Sequence, residues 1–182
     1  MNTGRVLVAG IGNIFLGDDG FGVEVVRRLG EVPLPASVRV ADYGIRGVHL
    51  AYDLLDGKVD TLILVDALPH DEPPGTIGVV EVDLNGPQWT LGPGPGPAPA
   101  ADAHGMDPET TLRLFRTLGV RLARVVVVGC QPGSVVEEMG LSDRVRAAVE
   151  PARDLVARMA REVAAGHERH EEAGHEEVGA DA

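Results

Sequence analysis

RVLVAGIGNIFLGDDGFGVEVVRRL, residues 5–29, runs from a strand pattern through a glycine-rich turn to a helix pattern. Arg5 to Ala9 is a short apolar run rich in β-branched residues, the pattern of a strand buried on both faces. Gly22 to Leu29 places its apolar residues at helical intervals. The glycine-rich segment between them joins a strand tip to a helix start, which is the first unit of an open α/β sheet. Three further apolar runs repeat the strand signal: Val38 to Ala41, Thr61 to Val65 and Arg124 to Val128. Helix-like segments alternate with them at Val48 to Leu55, Pro108 to Leu118 and from about Ser142 onward. The alternation predicts an α/β fold, a single domain with a twisted, mostly parallel sheet of about five strands and helices on both faces. Thr76 to Val82 alternates in polarity after the turn Pro73-Pro74-Gly75, which predicts an antiparallel or edge strand.

At 182 residues the chain is the size of one hydrophobic core, expected here over 1–165, with a Gly/Pro/Ala-rich loop insertion at 91–102. Hydrophobic residues make up 44% of the chain but aromatics only 3%, so Val, Leu, Ile and Ala must build that core. In the last helix Ser142 is the expected N-cap, Leu155, Val156, Met159 and Val163 form one stripe, and Pro151 should kink or restart it. Beyond Gly166 the apolar stripe stops, and residues 166–182 read as a disordered, His/Glu-rich tail. A formal charge of −12 argues against nucleic acid and anionic lipid as partners. Cys130 is the only cysteine, which rules out an intrachain disulfide or a CxxC pair and fits a cytoplasmic location. The apolar run Val6 to Leu16 contains Asn13, leads straight into Asp18 and Asp19, and lacks a cleavage site, so it is not read as a signal peptide. No stretch reaches the roughly 20 apolar residues of a membrane span.

The loop after the first strand opens like a dinucleotide fingerprint, yet Phe15 occupies the third glycine position and two aspartates stand where a pyrophosphate would need N–H groups. Asp42, at the tip of the second strand, imitates a ribose-binding acid. The same acids suit a cation. Asp18 and Asp19 follow the first strand and Asp66 ends the third, so the fold rule brings them to one carboxyl edge of the sheet. His104 follows the Gly/Pro insertion and adds an imidazole, giving two carboxylates and a histidine with positions left open for substrate or water. Plainer roles compete residue by residue. Helix capping accounts for Asp18, and also for Asp107 and Glu109 around Pro108. Cys130 reads as a small buried hydrophobe, Ser134 has no triad, and Trp89 reads equally as a loop anchor or a partner contact. His167, His170 and His175 belong to a solvated tail.

Taken together, VLVAGIGNIFLGDDGFGVEVVRRL, DYGIRGVHLAYDLL, LILVDAL, AHGMDP and VVVVGCQPGSVVEEMGLSDRVRAAVEPA resemble the endopeptidases that mature nickel-iron hydrogenases. The likeness runs from about Val6 to Val156. It implies a peptidase whose partner is a hydrogenase large-subunit precursor already loaded with nickel. Cleavage then removes a short C-terminal extension. Separately from the resemblance, the chain is expected to act as a monomer. The family's metal-contacting positions fall on Asp19, Asp66 and His104, with Asp19 standing where the family often has Glu. Asp42 matches a further acid needed for function, so the implied catalytic set is Asp19, Asp42, Asp66 and His104. The implied metal is substrate-borne nickel, whose place zinc or cadmium can take; whether it is catalytic or only a recognition handle is left open. Tyr43 and Arg46 depart from the family's glycine-rich turn after the second strand, in a position to affect which precursor is accepted. Two other classes stay in view: a non-enzymatic nickel chaperone using the same ligands plus the tail, and a nucleotide-binding module using Gly10, Gly12 and Asp42.

Overall fold

The computed structural model describes residues 6–86 and 107–178, with side chains through His167. Strand β1 (Val6–Ile11) leads through a short 3-10 turn (Gly17–Gly20) into helix α1 (Phe21–Leu29). Then follow β2 (Val38–Gly44), α2 (Gly47–Leu54), β3 (Thr61–Ala67), β4 (Ile77–Val82), α3 (Pro108–Leu118), β5 (Arg124–Cys130) and α4 (Asp143–Val178). The five strands lie in the order β2-β1-β3-β5-β4. All neighbours are parallel except β4, which runs antiparallel to β5 at the edge, as the polarity alternation and the preceding turn indicate.

Each central strand sends alternate residues to opposite faces, and both faces are dry, which is why its sequence is apolar throughout. Val6 and Val8 of β1 join Ile63, Val65, Val126 and Val128 on the face covered by α1 and α4, where Phe21, Val25, Val149 and Val156 pack. Leu7 and Ala9 join Leu62, Leu64, Val125 and Val127 on the face covered by α2 and α3, where Leu50, Leu54, Leu112 and Phe115 pack. Gly22 allows α1 to lie close on the sheet: a Cβ there would stand 2.1 Å from the Val65 carbonyl oxygen and 2.4 Å from that of Ile11.

Helix α4 departs from expectation at Pro151 and beyond Gly166. It passes through Pro151 as one helix, with no restart. Ser142 stands at the N-cap position as expected, its carbonyl accepting the Arg146 N–H at 2.8 Å and its hydroxyl donated to Asp18 at 2.8 Å. The backbone also stays helical past Gly166 to Val178, because Ala, Glu and Arg sustain a helix after the apolar stripe has ended. The 91–102 insertion, Trp89 and His104 lie outside the described residues. Among those described, no helix is long and apolar enough to cross a membrane.

The chain leaves β1 toward β2 on one side and returns to β3 on the other. This reversal opens a crevice beyond the carboxyl ends of β1 and β3, the usual place for a site in an open α/β sheet.

Candidate active site

Two carboxylates meet at that crevice. Asp66 is the penultimate residue of β3, paired in register with Gly129 of β5, and is almost wholly buried. One of its oxygens accepts a hydrogen bond from the Ala67 N–H at 2.7 Å. Asp19 comes from the 3-10 turn and is half-buried; its Oδ2 accepts the Asn13 N–H at 2.7 Å. Gly12 lies between them, at φ 130°. A Cβ on it would fall 1.9 Å from the Asp19 carbonyl oxygen and 3.4 Å from Asp66 Oδ1, so only glycine lets the turn close over the strand end.

The electrostatics mark the pair as unusual. Burial pushes the Asp66 carboxyl well above the ordinary carboxylate range, and the charges of Asp19 and Asp107 push it further, against a smaller opposing effect of the Ala67 N–H. Burial also raises Asp19, with the Asn13 hydrogen bond opposing and Asp107 adding to the rise. A site that gathers carboxylates and penalises their ionisation holds a proton or a cation. The oxygens of Asp19 and Asp66 are hard donors, the type that divalent cations such as magnesium and calcium take. Among the described residues, no three His, Cys, Asp or Glu side chains are grouped to hold a metal ion.

The other sequence candidates are placed differently. Asp18 is fully buried, but it caps neither the 3-10 turn nor α1, whose N-cap positions are Leu16 and Gly20. Its carboxylate reaches across to the loop between β5 and α4. There it accepts the N–H groups of Gly133 (2.8 Å), Ser134 (2.9 Å) and Ser142 (2.7 Å) and the Ser142 hydroxyl. Burial alone would raise its pKa; these hydrogen bonds outweigh burial and hold it below the usual value. Asp18 is therefore the tie that fixes the turn carrying Asp19, a role that capping does not describe. Asp42 pairs with Gly10 in the sheet register but is exposed, and Arg46 hydrogen-bonds its main-chain carbonyl.

Asp107 is the residue that sequence reasoning undervalues. It caps α3 as expected, accepting the Thr110 N–H at 2.7 Å ahead of Pro108. Its charge is nevertheless felt at both Asp19 and Asp66. The one signal in the sequence is its position three residues after His104. Cys130 is buried, and burial pushes its thiol up to about 12, so it behaves as the small hydrophobe expected of it.

Residues 23–159 match the sequence profile of HycI, the hydrogenase maturation protease family. The chain is 34% identical over 161 residues to a Methanocaldococcus jannaschii protein named as a candidate hydrogenase maturation protease, covering 86% of this chain and 96% of that one. It is 31% identical to the hydrogenase 2 maturation protease of Escherichia coli, over 87% of this chain and 92% of the relative. Among solved structures, the E. coli hydrogenase maturating endopeptidase HybD superposes with a TM-score of 0.66 at 26% identity, covering 87% of this chain and 93% of that chain.

Proposed function

The chain belongs to the hydrogenase maturation protease family, and from that premise we propose that it cuts the C-terminal extension from a nickel-loaded hydrogenase large-subunit precursor. The observation that carries this reading is the Asp19–Asp66 pair at the β1/β3 crevice, two carboxylates whose ionisation is opposed by burial and by neighbouring negative charge. Nickel belongs to the substrate here. Asp19 and Asp66 would meet it, and His104 is the third donor in this reading. The position of His104, three residues ahead of a helix start whose charge reaches the pair, supports that assignment. A cation brought by the precursor relieves the repulsion between the acids, so docking is favoured for a loaded precursor over an empty one.

Hydrolysis then needs an activated water and a stabilised oxyanion. A divalent metal supplies both kinds of assistance by acidifying water and polarising a carbonyl. On the protein side, an aspartate accepts a proton from water, either Asp19, which is half-buried and accepts the Asn13 N–H, or Asp42. Asp42, exposed at the tip of β2, acts on the substrate from outside the pair and supports rather than ligates. The test is cleavage by Asp19→Asn and Asp66→Asn, each expected to lose at least about 100-fold in kcat/KM. Near-normal cutting by either variant removes the pair from the mechanism. A chaperone reading instead requires the wild-type chain to take up nickel and leave the precursor whole.

A further inference from the structure

Beside the carboxylate pair, two loops form one preformed surface. Asn13 to Leu16, from the β1 side, and Ser134 to Met139, after β5, are joined by main-chain bonds from Glu138 N to Phe15 O (3.1 Å), Gly17 N to Glu138 O (2.7 Å) and Asp18 N to Ser134 O (3.0 Å). Leu16 and Glu138 pair as a parallel bridge, and the four hydrogen bonds to Asp18 lock the same junction from beneath. Loops held this firmly still present large apolar side chains to solvent: Phe15 is 60% exposed, Val136 52% and Met139 72%. Between them runs a cleft of about 420 Å³ lined by Asn13, Phe15, Leu16, Glu137, Glu138 and Met139. Among the described residues, no Lys or Arg pairs with Glu137 or Glu138. Asn13 lines this cleft and donates its N–H to Asp19, so the cleft and the carboxylate pair share a residue.

An exposed apolar patch beside the carboxylate pair, rimmed by carboxylates that have no Lys or Arg partner among the described residues, is built to be covered. Resting on the protease reading above, we infer that this cleft docks a segment of the precursor in which apolar side chains stand next to a Lys or Arg. Phe15 and Met139 take the apolar side chains, and Glu137 and Glu138 face the cation. The Asn13 link to Asp19 puts the bound segment next to the carboxylate pair. Binding here is shared by ground state and transition state, so it governs KM and leaves kcat alone.

The experiment is steady-state cleavage of nickel-loaded precursor by the full chain. The variants are Phe15→Ser with Met139→Ser, Glu137→Lys with Glu138→Lys, and Tyr52→Ser on exposed α2 as a control. Both double variants should raise KM roughly tenfold with kcat within about twofold, as loss of a binding hot spot does. The charge-reversal effect should shrink at high salt and the apolar one should persist. The thermal midpoints, read in parallel, should match wild type, because these side chains are exposed. Tyr52→Ser should leave KM unchanged. An unchanged KM in either double variant overturns the proposal, as does an equal rise from Tyr52→Ser. A change in self-association with unaltered KM also overturns it and makes the occupant a second copy of this chain. Wild-type protein that never cuts the precursor overturns the protease reading, and this assignment falls with it.

Discussion

Replacing Asp18 should unfold the protein more readily than its surface-loop setting suggests. The carboxylate is fully buried and serves four donors at 2.7 to 2.9 Å, three of them main-chain N–H groups. Hydrogen bonds to a charged acceptor contribute about 1.5–3 kcal/mol each, and neighbours in one network do not add fully, so Asp18→Ala should cost about 3–5 kcal/mol. Asp18→Asn is the sharper probe. Its one carbonyl oxygen can occupy the Oδ2 position and keep Gly133, Ser134 and the Ser142 hydroxyl, but its NH2 then faces the Ser142 N–H, donor against donor. The loss of charge and one opposed donor pair should cost about 2–4 kcal/mol. Urea denaturation at neutral pH should show the midpoint falling at constant slope. The sign of the pH dependence follows from the lowered pKa: the contribution is present above the unfolded value of 3.8 and is lost as pH falls through the lower folded one. The gap between wild type and Asp18→Asn should therefore hold from neutral pH down to the unfolded value and close under stronger acid. A variant within about 0.5 kcal/mol of wild type at neutral pH would show that Asp18 does not tie the turn, since that is the scatter of an ordinary surface change.

Asp66→Asn should stabilise the metal-free protein by about 1 kcal/mol, a rise of roughly 2–4 °C in Tm, while abolishing cleavage, because it removes a buried charge that the fold penalises. The raised pKa of Asp66 contributes stability below 3.8 that is lost as pH rises through the folded value. By the same linkage, cleavage should weaken as pH falls through that value and a proton replaces the cation; a flat acid limb would count against the pair. Gly12→Ala should impair folding or cleavage severely, since its Cβ meets the Asp19 carbonyl at 1.9 Å; soluble, fully active protein would show that the turn rearranges freely. Cys130 should stay unreactive toward an aromatic disulfide reagent in the native state and react fully in denaturant, with early native labelling as the contrary result.

What is legible in the sequence is local. The runs around Val6, Thr61 and Arg124 reveal themselves because both sheet faces are buried, and β4 because its alternation follows a Pro-Pro-Gly turn. Asp19 and Asp66 can be paired from the strand pattern alone, since β1 and β3 run parallel and end at the same edge. Asp18 escapes such a reading because its partners lie 115 to 124 residues away, in a loop whose course no local pattern specifies. Asp107 shows only its cap to a local reading, and its second effect acts through space on charges from β3 and the turn. Asp42 looks equivalent to Asp66 from its strand-tip position, but β2 is an edge strand and leaves it exposed. The docking cleft is hidden for the same reason as the role of Asp18: it exists only where two distant loops are tied together.

In the proposed reaction, nickel carried by the precursor meets Asp19 and Asp66 and so licenses the cut. The most direct measurement is the intact mass of a large-subunit precursor after incubation with this protein, with and without prior nickel loading. Loss of the C-terminal extension from the loaded precursor alone is the expected result. Equal trimming of the nickel-free precursor, or a loaded precursor left at full mass, would contradict it.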